Sequence, residues 1–418
     1  MFLIYDLIFF IIALFYLPLY LLRKKFHRGF IRRLGFLPRD LNLNQPIWIH
    51  AVSVGEAKAL KKLIEELKRI EPDKKFVFST VTATGNKIMQ DMAGDHDLVT
   101  YLPLDFSWVV SGVLERVNPS LFIIAETEIW PNLITALRRK NIPTVVINAR
   151  ISDRSLRGYK MLKIFIKPIL NKVHLFCVQS QTDATRLMKL GVAVNKIKIT
   201  GNLKFDSADL YLEPVGAHNY KASLGLTKEE KLLVAGSTHA QEEQIILSVY
   251  KELLKAFGEL KLLLAPRHPQ RAPELKNLVS LFGFHPVLIS NLPFHCPTCI
   301  PKPVFILDTI GQLNDFYAIA DVVFVGGSLV KSGGHNILEP AAKGKAVLFG
   351  PYMFNFRDIA DLFLRNQAAI LVENQEELKN KLSFLLSRQA ERQKLGARAQ
   401  ELVIDNQGAT RRTLEFII

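Results

Sequence analysis

I-W-I-H-A-V-S-V-G-E-A-K-A-L-K-K-L-I-E-E-L-K-R-I occupies residues 47–70, and its reading decides the fold. Ile47–Val54 reads as a strand, and Ala57–Ile70 places Leu60, Leu63, Ile64 and Leu67 at helical spacing. The same strand-then-helix text repeats outward. Phe76–Val81, Leu121–Ala125, Thr144–Asn148, Leu175–Gln179 and Lys196–Thr200 continue the strand series. It pauses at Asp206–Leu226, which has little periodicity and contains Pro214 and Gly216. It restarts with Lys231–Ala235, Lys261–Ala265, Val304–Leu307, Val322–Val325, Ala346–Phe349 and Ala369–Val372. Near-continuous apolar strands separated by helices predict parallel sheets covered on both faces. The expected fold class is α/β: a pair of doubly wound, Rossmann-like domains facing a cleft.

Residues Met1 to Leu22 are almost wholly apolar, broken by Asp6 and Pro18. A spanning helix needs about 20 apolar residues, so the stretch is barely long enough to cross a bilayer. No small-residue cleavage site follows it, and its charge lies behind the apolar run, so it reads as an anchor helix and not a signal peptide. The expected boundaries are 1–22 for the membrane anchor, 23–206 for the first domain, 207–226 for a linker and 227–418 for the second domain. The net charge of +15, from 54 Lys and Arg against 39 Asp and Glu, calls for an anionic partner. Arg23, Lys24, Lys25, Arg28, Arg32 and Arg33 crowd behind the anchor, which favours an anionic membrane surface and a cytoplasmic body. No zinc-finger, RRM-like or basic-zipper pattern points to nucleic acid.

Three cysteines rule out a disulfide framework. Cys177 lies in an apolar run and reads as a buried hydrophobe. Cys296 and Cys299 have zinc-ligand spacing, without a second pair to complete four ligands. Asp95-His96-Asp97 has the D-x-D spacing of metal-using sugar transferases but reads as a solvated loop.

Ligands of open α/β sheets sit outside the carboxyl ends of the strands. The first strand ends in Ser53-Val54-Gly55-Glu56. Glu56 in a first helical turn suits the helix dipole, and equally a general base. Polar clusters follow at Glu126-Thr127-Glu128-Ile129-Trp130-Pro131-Asn132, at Asn148–Asp153 and at Gly201–Asp206. Four such clusters along one sheet edge outline an active site. In the second half, Arg267 offers a planar fork for a phosphate, while His268 between prolines reads as a rigid loop residue. The loop Gly326–Pro340 carries four glycines, whose N–H groups, Gly327 and Ser328 included, are expected to gather on an anion. Glu339 is placed to accept hydrogen bonds from ribose hydroxyls. The loop matches neither G-x-x-x-x-G-K-[ST] nor G-x-G-x-x-G.

Read together, S-V-G-E (53–56), E-T-E-x-W-P-N (126–132), N-A-R-x-S (148–152), G-N-L-K-F-D (201–206), A-G-S-T-H (235–239), P-R-H-P (266–269), D-T-x-G (308–311) and G-G-S-L-x-x-x-G-G-H-N-x-L-E-P (326–340) occur in order. The chain thereby resembles the transferases of 3-deoxy-D-manno-octulosonic acid (Kdo) of Gram-negative bacteria, over nearly its whole length. The resemblance implies a two-domain GT-B-type architecture with an acceptor-binding first domain and a CMP-binding second domain, CMP-Kdo as donor and a lipid A precursor (lipid IVA) as acceptor. It implies an inverting, metal-independent transfer at the cytoplasmic face of the inner membrane, within lipopolysaccharide biosynthesis, without a cofactor. It implies Glu56 as catalytic base and Glu126 and Lys204 as supports of the transition state. It implies Pro266, Arg267, Ile310, Gly311, Gln312, Asn336, Ile337, Leu338 and Glu339 as CMP contacts. Two rival classes stay open on the residues alone. A nucleotide-sugar epimerase can share this fold but has little need of an anchor, and a membrane-tethered binding protein would tolerate loss of Glu56.

Overall fold

The structure is a computed structural model that describes residues 5–7, 9–15, 31–38, 41–208, 217–227, 230–292 and 301–418. The chain forms two compact units, one of residues up to Ser207 with Asn406–Ile418, the other Ala208–Asp405.

The first unit holds a seven-stranded parallel sheet: β1 (Ile47–His50), β2 (Phe76–Thr80), β3 (Leu98–Tyr101), β4 (Leu121–Ala125), β5 (Thr144–Ala149), β6 (Leu175–Val178) and β7 (Ile197–Ile199). The order is β3-β2-β1-β4-β5-β6-β7, so the sheet reverses direction between β1 and β4. Ile47 pairs with Phe76 on one side and Leu121 on the other. Trp48, Phe76, Phe78, Phe122 and Phe176 are fully buried, each stabilising the fold by about 1.5–3 kcal/mol relative to exposure. β1 is shorter than its apolar run because Ser53 accepts a hydrogen bond from the Glu56 N–H and starts a helix at Val54.

The second unit holds β8 (Lys231–Thr238), β9 (Leu260–Pro266), β10 (His285–Leu288), β11 (Pro303–Ile306), β12 (Val322–Val325), β13 (Ala346–Phe349) and β14 (Ile370–Leu371). Its order, β10-β11-β9-β8-β12-β13-β14, reverses between β8 and β12. All pairings in both sheets are parallel, as the unbroken apolar runs predict.

Several expectations are corrected. The second domain does not run to 418: the helix Ala409–Ile417 buries Ala409 and Leu414 in the first unit's core. Asp206 holds it there, accepting from Gly408 N at 2.7 Å and Thr410 N at 2.5 Å. The expected linker is partly structured. Tyr220 in the helix Ala217–Ser223 packs on Phe316 and accepts a hydrogen bond from Gln312, so this stretch belongs to the second unit. Asp97 is no solvated loop residue: its carboxylate accepts from Phe76 N and Gly94 N and pairs with Lys68 at 2.7 Å. Arg33 is buried and donates to the Leu102 carbonyl, which removes it from the basic surface. Cys177 is a free, buried thiol pushed up to about 12 by burial, as its apolar run predicts. Cys296 and Cys299 lie outside the described residues, as do Arg23, Lys24, Lys25 and Arg28.

Among the described residues no helix is long and apolar enough to cross a membrane. Of the expected anchor, residues 5–7 and 9–15 are described and helical. Asp6, which interrupts the apolar run, is buried against the protein. It accepts from Ser107 N, Ser107 Oγ and Asn132 Nδ2.

Candidate active site

The reversal between β1 and β4 sets the loops after these two strands beside each other, which is where a doubly wound sheet takes its ligand. Glu56 follows β1 and Glu126 follows β4. Together with Thr127, Glu128, Arg150, Ser152, Ser155 and Tyr159 they line a cavity of about 240 Å³. A larger hollow of about 540 Å³ lies away from the switch point, around Ile70, Leu414 and Ile418, and gathers none of these groups.

The Glu56 carboxylate accepts from Val52 N at 2.8 Å and from the Ser53 hydroxyl at 2.9 Å. Burial pushes its pKa up to about 7 and the neighbouring Glu126 adds to the shift. The Val52 and Ser53 hydrogen bonds oppose it, and Glu128 contributes a further rise. Burial and then Glu126 also raise Glu128. Glu126 has φ +57°, an uncommon backbone for a side chain of this size, held by its N–H on the Ile147 carbonyl. Lys204 Nζ stands 3.8 Å from Glu126 Oε1. Lys204 is carried by the one-turn helix Leu203–Asp206, capped by Asn202 and tied to β5 by Asn148 Oδ1, which accepts from Leu203 N. Thus Glu56, Glu126 and Lys204, from three separate motifs, meet at one strand edge.

In the second unit, Pro266 ends β9 and is buried, whereas Arg267 and His268 are exposed. Ile310 is 84% exposed beside Gly311, and Gln312 is anchored by Thr309 and Tyr220. Asn336 donates to Glu339 and caps Leu338 N. Ile337 and Leu338 are fully buried, so their side chains serve the core of the second unit.

Gly327 and Ser328 are not free to cradle an anion from outside. The Glu242 carboxylate, itself fully buried, accepts from Gly327 N, Ser328 N and Leu329 N at 2.7, 3.1 and 2.9 Å, and from His239 N at 3.2 Å. The chain supplies its own anion to the glycine-rich loop. Ser328 Oγ is equally committed, donating to Val325 O and accepting from Gly350 N.

The model of the family "3-Deoxy-D-manno-octulosonic-acid transferase (kdotransferase)" matches residues 28–207. A 3-deoxy-D-manno-octulosonic acid transferase of Haemophilus influenzae is 35% identical over 379 residues, 89% of this chain and 86% of the relative. The chain belongs to the Kdo transferase family. Among solved structures, a glycosyltransferase of Rickettsia africae is similar at a TM-score of 0.55 and 15% identity, covering 90% of this chain and 98% of that one. UDP-GlcNAc 2-epimerase of Neisseria meningitidis is similar at a TM-score of 0.55 and 12% identity, over 86% and 99%. These two likenesses carry the fold alone: two parallel-sheet α/β domains of GT-B type.

For this Kdo transferase, sequence reasoning missed three features of the two edges. Ser155 and Tyr159 line the cavity from the segment after β5, beyond the quoted motif that ends at Ser152. Glu242 was legible only as an acidic residue in a first helical turn. His239 ends one motif and His335 stands inside another, but nothing local says that they touch.

Proposed function

We propose that this chain moves Kdo from CMP-Kdo onto the lipid A precursor, with inversion at the transferred carbon, on the cytoplasmic face of the inner membrane. One observation carries the reading: Glu56 shares a polar cavity with Glu126, and its carboxyl is pushed up to about 7. A carboxylate with that proton affinity is a competent base near neutral pH, a role that contributes roughly 10²–10⁴-fold to a rate. In this reading the acceptor hydroxyl gives its proton to Glu56 as its oxygen bonds to the sugar. The bond to phosphate breaks and CMP departs. Lys204 beside Glu126 steadies the charge that develops. Arg267, Ile310, Gln312, Asn336 and Glu339 take the nucleotide, with Pro266, Gly311, Ile337 and Leu338 shaping the site around them. The charge of a single departing phosphate falls to these groups, without a metal ion.

The membrane part of the proposal is supported by surface character. Met161, Leu162, Ile164 and Phe165 are exposed among exposed Lys160, Lys163 and Lys167. The N-terminal helical segment exposes Leu7, Phe10, Ile11, Leu14 and Phe15. Apolar groups ringed by cations suit an interface of acyl chains and anionic headgroups.

The test is a mass-spectrometric transfer assay on detergent-purified protein with CMP-Kdo and a tetraacylated lipid A precursor, run beside Glu56→Ala. The expected result is a product heavier by one or more Kdo units, reduced by about 10²-fold or more in the variant. A folded, CMP-binding wild type that adds no mass would overturn the acceptor assignment.

A further inference from the structure

The switch point of the second sheet carries a side-chain pair that the transfer reading leaves unused. β8 ends at Thr238 and is followed by His239; the loop after β12 carries His335. Their Nε2 atoms lie 2.9 Å apart, with the rings 9° from parallel. At that distance one nitrogen donates and the other accepts, so a single proton sits between the two. The fit is built. Gly327 has φ +67°, and a Cβ there would stand 2.9 Å from Cδ2 of His335 and 3.3 Å from that of His239. Glu242 locks both loops by accepting from His239 N and from Gly327 N to Leu329 N.

The pair sits among donor-side groups. His268 faces His239 with ring centroids 6.2 Å apart, and Arg267 acts on both imidazoles. Arg271 and Glu243 complete the charged surroundings, Arg271 gripping Glu243 through two hydrogen bonds. Glu242 is consumed by backbone amides. Burial, assisted by the cationic neighbours, lowers both imidazoles, His335 to about 3, so the pair is neutral until an anion arrives.

We propose that His239 and His335 act as one proton-holding couple on the donor phosphate, taking up a proton as the nucleotide binds and passing it to the departing oxygen. The proposal rests on the donor reading above. The bond between the sugar carbon and the phosphate oxygen breaks, and its electron pair stays on that oxygen. The oxygen takes the couple's proton, so the singly charged diester leaves as a singly charged monoester and the couple returns to neutral. The acceptor hydroxyl's proton goes to Glu56 and then to water. One proton enters from water at the couple and one returns to it from Glu56, so the step balances.

The experiment uses the full-length protein and CMP at about pH 8, where a phosphate whose second pKa is about 6 is already dianionic. Calorimetry in buffers of different ionisation enthalpy counts protons taken up on binding, and histidine ¹⁵N spectra report which imidazoles become cationic. Uptake is expected in the wild type, with the His239 and His335 signals moving. His239→Gln and His335→Gln are expected to bind CMP without uptake, to melt like wild type, and to lose turnover by roughly 10²-fold. CMP binding with no proton uptake and unmoved imidazole signals overturns the couple and leaves the donor site standing. Failure of the folded protein to bind CMP overturns the donor reading itself.

Discussion

Glu56 and Glu242 stand in the first turns of the helices that follow β1 and β8, the first strands of their sheets, yet they serve opposite ends. The Glu56 carboxylate accepts one backbone N–H and one hydroxyl, and looks into a cavity that holds two more carboxylates. The Glu242 carboxylate accepts four backbone N–H groups and is sealed from water. Place in the fold is the same. What differs is how many donors reach the oxygens, and whether other acids share the space. Few donors and like-charged neighbours leave a carboxylate ready to exchange a proton. Burial raises the Glu242 carboxyl as well, but four backbone donors oppose that rise and hold it as the acceptor of a loop.

The comparison breaks most visibly at Glu242. Glu242→Ala strips the acceptor from four amides, two of them buried and two part-buried, and a buried one costs roughly 1–3 kcal/mol when orphaned. The second unit is expected to lose cooperative unfolding or to melt far below wild type in calorimetry. A variant that melts with the wild type would show that water or another group satisfies the loop.

A smaller effect sharpens the other side. Glu56 has its carboxyl raised from 4.5 to about 7, so the folded state holds a proton that the unfolded chain releases. Its contribution is therefore fully present below pH 4.5 and is lost as pH rises through about 7. The ceiling is about 3 kcal/mol, reduced by the solvent that reaches a half-buried group. Denaturant unfolding of wild type and Glu56→Gln across this range should show the wild type losing stability relative to the variant as pH rises. Parallel curves would return Glu56 to an ordinary carboxylate.

The smallest expected change isolates the neighbour's share. Glu126→Gln removes a like charge and should move the midpoint of the rising limb of kcat/KM against pH downward by about one pH unit, whatever it does to the maximal rate. An unmoved midpoint would leave burial, with the smaller share of Glu128, as the cause of the raised Glu56.

Most strands were legible because a parallel strand buried on both faces must be apolar along its length, as in Leu121–Ala125 or Val322–Val325. The two that were missed, Leu98–Tyr101 and His285–Leu288, both lie at sheet edges. An edge strand is covered on one side only and tolerates Thr100, His285 and Pro286, which blur the pattern. Of the site, Glu56, its acidic neighbour Glu126 and Lys204 were legible because each follows the end of a strand. Gly327 and Ser328 were misread as an outside anion's cradle, because four glycines announce converging N–H groups without naming what they converge on.

By itself the sequence determined the alternation of strand and helix, the break near residue 206, and the motif order that marks a Kdo transferase. All three are written in local spacing or in chain order. Tertiary structure alone decided which glutamate stays open and which is consumed. It alone set His239 against His335 across 96 positions and brought the last helix back to Asp206 across 202. It alone turned Asp6 from a flaw in an apolar run into a buried contact for Ser107 and Asn132. Hydrogen-bond partners and burial belong to groups that meet in space, and no periodicity along the chain encodes which distant groups will meet.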